Sequence, residues 1–481
     1  MATMGPDDEQ EGGGAQLRPE GEGMAAEIEP GDLMNGTGSG GVGKYKWFVV
    51  LMLWFICFFN YADRQAISSV LPKLKTEFNF SDFELGLIGS AFAWVYAAGA
   101  PFAGYIADRL RRKDLILGGC LFWSFVTMLT GWATNFWQFF TVRAAEGLGE
   151  TFYFPASMSL ISDYHGRKTR SRAMALHQSS VYAGTIAGSW FAAWAAETYG
   201  WRSGFYVFGG LGMVLAVVLY FSLMEPRRGQ ADEEAGIAKI EEKPMSVGET
   251  AREIFRKPTV LLLMLGFVLA NFVANVFLIW TPTFLVDKFH YRLTAAGLGG
   301  SVFIHAASAI SVPIAGYAAD KLAQRFAGGR IFIQGLGLLC GATFAFLVGR
   351  TSDHRTLILS MTIFGLCKGV YDSNIFASVY DMVEPRARAS AAGIMNLVGW
   401  GAGALGPAAF GWLADHGSHQ MPSTAPTAIN GMAPDRVANM SDAIAWTGGI
   451  YIVAAVVLFL AAFVFAPRDV NKRRAAAIAE A

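Results

Sequence analysis

Twelve long apolar runs, separated by short polar stretches, set the rhythm of this chain. In the first half they fall near residues 47–71, 83–107, 114–134, 137–162, 173–196 and 203–224. In the second half they fall near 260–285, 296–319, 330–349, 355–380, 390–413 and 444–466. A helix needs about 20 mainly apolar residues to cross a bilayer, and in lipid only helices or closed barrels satisfy their own backbone. Runs this long predict helices, so the pattern predicts an all-α membrane protein with twelve transmembrane helices. Composition agrees: 53% of residues are hydrophobic and 16% charged, and the mean hydropathy of +0.36 is too apolar for an ordinary soluble protein of this size.

The polar positions between the runs give an orientation. If both ends lie on one side, that side holds 27 Lys and Arg and the other 8, with Arg64, Arg143 and Lys368 inside helices. The positive-inside rule then places both termini in the cytoplasm of an inner or plasma membrane, as a multi-pass protein. Residues 1–43 hold nine acidic and few basic or apolar residues, which predicts a disordered acidic tail. The first apolar run starts late and follows Lys44 and Lys46, so no cleavable signal is expected. A six-helix bundle over 44–225, a cytoplasmic linker over 226–257 with an amphipathic helix near Val247–Phe255, a second bundle over 258–467 and a short tail over 468–481 complete the expected organisation. Residues 415–442 read as a long external loop. The four cysteines sit in apolar runs without metal-like spacing, which predicts packing roles and no metal site. No nucleotide-binding or catalytic motif is present in the sequence, which argues against an enzyme and against a bound cofactor.

One cytoplasmic motif occurs twice, 212 residues apart. Gly104-Tyr-Ile-Ala-Asp108-Arg109-Leu110 returns as Gly316-Tyr-Ala-Ala-Asp320-Lys321-Leu322, each copy closing the second run of its half. A repeat spaced by nearly half the chain predicts two related, pseudo-symmetric six-helix bundles. That is how secondary transporters are built, with a substrate site between halves that rock.

The first copy and its extension to Arg112 and Lys113 resemble the loop motif of the major facilitator superfamily, with Arg111 where that pattern usually has glycine. Within it, Asn60-Tyr61-Ala-Asp63-Arg64, Arg143-Ala-Ala-Glu146-Gly-Leu-Gly-Glu150-Thr-Phe-Tyr-Phe-Pro155, Trp280-Thr-Pro282 and Ala392-Gly393-Ile-Met-Asn396 are similar to the anion:cation symporter family. Members of that family carry sugar acids and other organic anions with protons or sodium. The first two patterns are shared with Spinster-type lysolipid transporters. The resemblance implies proton coupling at Asp63 and Glu150 and anion handling at Arg143. It also implies that Gly104, Asp108, Arg109, Arg112 and Asp320 gate the cytoplasmic side rather than bind solute. Glu146 adds a charge where a small or apolar residue is usual, and Lys368 with Asp372 departs from the family pattern.

Charges within the membrane are costly and normally face the bundle interior. Arg143, Glu146 and Glu150 lie three, four and seven residues apart, on one helix face. They read either as a static ladder, chiefly Arg143 with Glu146, or as a divided site. In the divided site Glu150, desolvated beside Phe152, Tyr153 and Phe154, exchanges a proton while Arg143 holds a carboxylate in its fork. Asp63 and Arg64, being adjacent, point about 100° apart and need not pair. Lys368 and Asp372, four apart, read as a self-neutralising pair, or as a second anion-binding cation if Lys368 faces a cavity. Asn271 and Asn275 read as donors to substrate hydroxyls, with helix packing as the alternative. Gln178 sits beside His177 early in the fifth run, and a lone membrane histidine reads as a hydrogen-bonding or packing residue. The substrate-facing set expected is therefore Asn60, Tyr61, Arg64, Arg143, Gln178, Asn271, Asn275, Lys368 and Asn396. The function expected is proton-coupled symport of a small organic anion by a monomeric carrier, sodium remaining an alternative ion. A Spinster-type amphiphile carrier and a transporter-like sensor are the competing readings.

Overall fold

The computed structural model describes residues 40–107, 109–166, 168–233, 247–384, 387–419 and 434–469. Residues 1–39 and 470–481 of the expected tails and the middle of the 415–442 loop lie outside the described residues, as does Asp108. Met1–Tyr45 and Lys46–Ala481 form two units, and the packing below concerns the second.

Among the described residues the regular structure is helical. The first half runs α1 (Gly40–Phe78), α2 (Asp82–Ala107), α3 (Arg112–Thr130), α4 (Phe136–Glu150), α5 (Tyr153–Tyr164), α6 (Arg170–Thr198) and α7 (Trp201–Ser222). The linker carries α8 (Gln230–Glu233) and α9 (Val247–Phe255), the latter where an amphipathic helix is expected. The second half runs α10 (Pro258–Phe289), α11 (Leu293–Ala323), α12 (Gly329–Arg350), α13 (His354–Asp372), α14 (Ile375–Met382), α15 (Arg388–Gly403), α16 (Leu405–His416) and α17 (Pro434–Leu460). The halves repeat each other in detail: α1 and α10 each stop at a left-handed residue, Asn79 with φ 56° and His290 with φ 55°.

Three spans that read as continuous runs are broken. The fourth is split into α4 and α5 at Thr151–Phe152, because Pro155 has no N–H to offer the Thr151 carbonyl four residues back. The eleventh is split into α15 and α16 at Ala404, where Pro407 does the same to Gly403. The tenth is split into α13 and α14 at Ser373–Asn374, where the Ser373 hydroxyl donates to the Val370 carbonyl at 2.9 Å and competes with the helix ladder. Nine helices among the described residues are long and apolar enough to cross a membrane. The fourth, fifth and tenth spans fall short because they are broken or carry polar residues in their centres. The last span starts at Pro434 rather than near 444, so part of the expected external loop is helix.

Small residues let the helices meet closely. A side chain at Gly184 or Gly188 of α6 would run into the backbone of α1 at Phe58 or Ala62. Gly403 of α15 lies against Asn271 of α10, whereas Gly401 has ordinary room.

The two halves are joined on the face that the Lys and Arg pattern assigns to the outside. Arg436 at the start of α17 donates through Nε and a second nitrogen to the Asp82 carboxylate at 2.5 and 2.8 Å, and binds Asp287 of α10 through its third nitrogen. Lys75 of α1 reaches Asp82 at 2.6 Å. Asp415 of α16 accepts from the Asp82 and Phe83 backbone amides at 3.1 and 2.8 Å, capping α2. Deeper down, Ser69 and Ser189 are 2.8 Å apart, Ser189 donates to the Gly297 carbonyl at 2.7 Å, and Gln65 donates to the Leu278 carbonyl at 2.8 Å. The Arg436–Asp82 pair, the Asp415 cap and the Ser189 and Gln65 bonds tie the first half to the second on that face.

Breaking one partner out of a buried ion pair costs about 3–5 kcal/mol, because a charge is left without its neutraliser. Arg436→Gln should therefore loosen that face. In a cysteine-free background, a membrane-impermeant thiol reagent applied outside should label Ile279→Cys about tenfold faster when Arg436→Gln is added. An unchanged rate would show that the cluster does not hold that face closed.

Candidate functional site

The middle of α1 presents Asn60, Tyr61, Asp63 and Arg64 toward α2, α3 and α4. Arg64 donates from Nε to Glu150 Oε2 at 3.0 Å and from a second guanidinium nitrogen to the same oxygen, joining α1 to the last residue of α4. Asn60, one turn earlier, accepts from Arg64 at 3.5 Å. Aromatic faces frame the guanidinium, with ring centroids of Phe92, Tyr61 and Tyr96 at 4.4, 4.5 and 5.3 Å. Tyr96 in turn meets Trp400 of α15 edge to face at 6.0 Å, so a single aromatic layer separates Arg64 from the second half. Helix spacing alone gives Arg64 its Asn60 neighbour. The pairing with Glu150 depends on how α4 packs.

Asp63 points away from Arg64, toward α3, where Thr127 donates to its Oδ2 at 3.3 Å. One carboxylate oxygen each of Asp63, Glu146 and Glu150 lies within 4.8 Å of the others. Asp63 Oδ1, Glu146 Oε1 and Glu150 Oε1 are buried without a hydrogen-bond partner. Three carboxyls thus face two guanidiniums, Arg64 and Arg143, in a water-poor region. Fully ionised, the group would carry one uncompensated negative charge, which a low-dielectric interior resists. One proton, or one small monovalent cation shared by the three oxygens, balances it.

Of its two readings, Arg143 matches the static ladder in geometry. It is bonded to Glu146 on its own helix, reaches the Arg64 carbonyl at 3.4 Å and keeps only 1% of its surface exposed. In this conformation it is a rung of the static ladder and presents no fork to a solute. Arg64, 8% exposed and framed by aromatic rings, is the better-placed cation. Asn271 and Asn275 each donate an amide N–H to the carbonyl one turn back, of Phe267 and Asn271 at 3.0 and 2.9 Å. Each amide thus commits one of its two N–H donors to its own helix and keeps the other, and its Oδ1, for a second partner.

Other expected residues are dispersed. Lys368 and Asp372 form the anticipated pair on α13. Gln178 is exposed on α6, beside Ser179, which accepts from Trp54 at 3.0 Å. Asn396 is half-buried on α15. His177 shares a 2.8 Å hydrogen bond with the Tyr153 hydroxyl, which also donates to the Leu53 carbonyl at 2.7 Å, a structural arrangement.

The repeated motif anchors a cluster of ion pairs within each half. Arg112 opens α3 and binds Asp163 at the end of α5 and Glu225 after α7, at 3.0 Å for the latter. In the second half Arg330 opens α12 and binds Asp320 of α11 at 2.7 Å and Asp381 of α14 at 2.6 Å. Gly104 lies in α2 and Arg109 is exposed in the turn after it. The partners Asp163, Glu225, Arg330 and Asp381 are absent from the sequence reading. A signal for them existed: Arg112 precedes Asp163 by 51 residues, and Arg330 precedes Asp381 by the same 51.

A family model described as the Major Facilitator Superfamily matches residues 53–325 and 294–481. A probable anion transporter 4, chloroplastic, of Oryza sativa subsp. japonica is 29% identical over 388 residues, covering 78% of this chain and 64% of that protein, a little under two thirds. A probable L-galactonate transporter of Escherichia coli (strain K12) is 28% identical over 380 residues, covering 76% of this chain and 82% of that protein. Among solved structures, a bacterial homolog to the human lysosomal transporter Spinster, in an inward-facing and unoccupied conformation, superposes with a TM-score of 0.76. It is 22% identical and covers 90% of this chain and 99% of that one.

The Arg143–Glu146 rung and the Arg64–Glu150 pair should respond differently to neutral substitution. Glu146→Gln leaves Arg143 charged and sealed, so it should lower thermal stability by about 3–5 kcal/mol, read as a fall in melting temperature of the purified protein. An unchanged melting temperature would mean that the rung is not structural.

Proposed function

The chain belongs to the major facilitator superfamily, and on that premise we propose that it is a proton-coupled symporter of a small organic anion. The anion is a sugar acid or similar carboxylate, carried by alternating access across a plasma membrane with both termini cytoplasmic. The observation that carries this reading is the Arg64–Glu150 pair, a fork-shaped cation held by a carboxylate in the middle of the membrane. Similarity to relatives named as anion and galactonate transporters supports the same substrate class.

Glu150 and the substrate carboxylate compete for one guanidinium. A hydrogen bond to a charged group contributes about 1.5–3 kcal/mol net, so exchanging one carboxylate for another at Arg64 is nearly neutral by itself. Protonation of Glu150 tips the exchange. The neutral carboxyl holds Arg64 less tightly, and the substrate carboxylate takes the vacated fork. Proton and anion then load together, and the buried charge stays balanced. Asp63, which makes no ion pair among the described residues and lies within 4.8 Å of Glu150, serves as the companion proton site. Asn60 and Tyr61 orient Arg64 from its own helix. With the outer face closed, release of anion and then proton is to the inside, after which Glu150 recaptures Arg64.

In proteoliposomes, Glu150→Gln imitates the protonated carboxyl permanently. Acid-driven uptake should fall to background, while counterflow exchange of the same anion continues. The substrates to offer are hexonates, hexuronates, aromatic acids and a lysolipid, each with a proton gradient and, separately, a sodium gradient at fixed pH. Acid-driven accumulation surviving in Glu150→Gln would sink the mechanism. Drive by sodium alone would replace the proton, and lysolipid transport without any response to acids would replace the substrate class.

A further inference from the structure

The fourth and tenth spans, which hold corresponding places in the two halves, both break just after an ion-paired carboxylate. α4 ends at Glu150, held by Arg64, and α13 ends at Asp372, held by Lys368. Broken spans at the centre of a transporter are where substrates and ions bind, since the interruption frees polar backbone that must face a cavity or protein. The second pair is the more open of the two. The Lys368 and Asp372 side chains retain 18% and 26% of their exposure, against 9% and 0% for Arg64 and Glu150. Charged heads opening onto hydrocarbon would be costly, so a pair of this openness is expected to face the bundle interior.

Two side chains from other spans face the same place. Tyr182 of α6, in the first half, and His305 of α11, in the second, have ring centroids 6.5 Å apart. The Lys368 ammonium lies within electrostatic reach of both. Lys368 therefore stands at the seam between the halves. Among the described residues its ion-pair partner is Asp372, a carboxylate one helical turn away that is itself partly open.

We propose that Lys368 is a second anion-binding residue and that the carried substrate is a dianion. One acidic group binds Arg64 in the first half, and the other displaces Asp372 from Lys368 in the second. This rests on the anion reading given above and narrows its substrate class. A monoacid satisfies only one of two cations set in opposite halves. A diacid satisfies both and ties the halves together, so its binding favours the closed, loaded state that precedes reopening. Tyr182 and His305 position the second acidic group by donating O–H and N–H hydrogen bonds to its oxygens.

The test is initial-rate uptake of D-glucarate and D-gluconate, matched six-carbon acids with two and one carboxylates, by the full-length protein in proteoliposomes. In the wild type the ratio of kcat/KM, diacid over monoacid, should be about tenfold or more, the worth of one charge-assisted contact. Lys368→Arg should keep that preference. The double variant Lys368→Met with Asp372→Asn, which leaves no unpaired charge and so folds more readily than the single change, should bring the ratio to about one. A wild-type ratio near one with both acids carried, or a preference that persists in the double variant, overturns the dianion inference and leaves the anion reading standing. Carriage of neither acid overturns the dianion inference, and the anion reading falls with it only if hexuronates and aromatic acids are not carried either.

Discussion

Five ionisable side chains in the centre of the first bundle cannot all be charged at once, and that constraint organises the molecule. Arg64 and Arg143 supply two positive charges against the three carboxyls of Asp63, Glu146 and Glu150. In water the mismatch would be trivial. In a dry, membrane-spanning interior it needs one mobile charge to balance it, and every change of partner at Arg64 shifts that balance again. Anion binding and proton binding are therefore one electrostatic event in the proposed cycle. Arg143 with Glu146 is the fixed part, a rung that holds α4 in register. Arg64 with Glu150 is the exchangeable part, because Glu150 ends its helix at a proline-induced break and Arg64 sits under a thin aromatic cover.

The rest of the architecture determines which side this event communicates with. Arg436 gathers Asp82 and Asp287 from the two halves, while serines and a glutamine stitch α1, α6 and α10 beneath it. The ion pairs of Arg112 and Arg330 stay within their own halves, which in the proposed cycle would move as rigid bodies. The division of labour is physical. Ion pairs that cross the seam must break in each cycle, and those inside a half need not.

Much of this was legible in the sequence, for reasons that differ by residue. The twelve runs gave the spans because membrane helices announce themselves by length. Arg143 with Glu146 and Lys368 with Asp372 were readable because three and four residues are one helical turn. Arg64 with Glu150, 86 residues apart, was not, because the pairing depends on how α1 leans on α4. Arg436 with Asp82 spans 354 positions and lies in a stretch that reads as loop. The helix breaks were missed although Pro155 and Pro407 marked two of them, since apolarity runs on unbroken across both. For Asn271 and Asn275, spacing places a side chain on a face without revealing that one of its two donors returns to its own backbone.

The central claim is that an anion takes Arg64 only when a proton takes Glu150. Proton uptake on binding measures this directly: purified protein in weak buffer near neutral pH is titrated with the transported acid, and the pH change is recorded by a dye or electrode. The account predicts about one proton taken up for each acidic group bound at Arg64, and none in Glu150→Gln that still binds. Stoichiometric binding by the wild type with no proton uptake would contradict it.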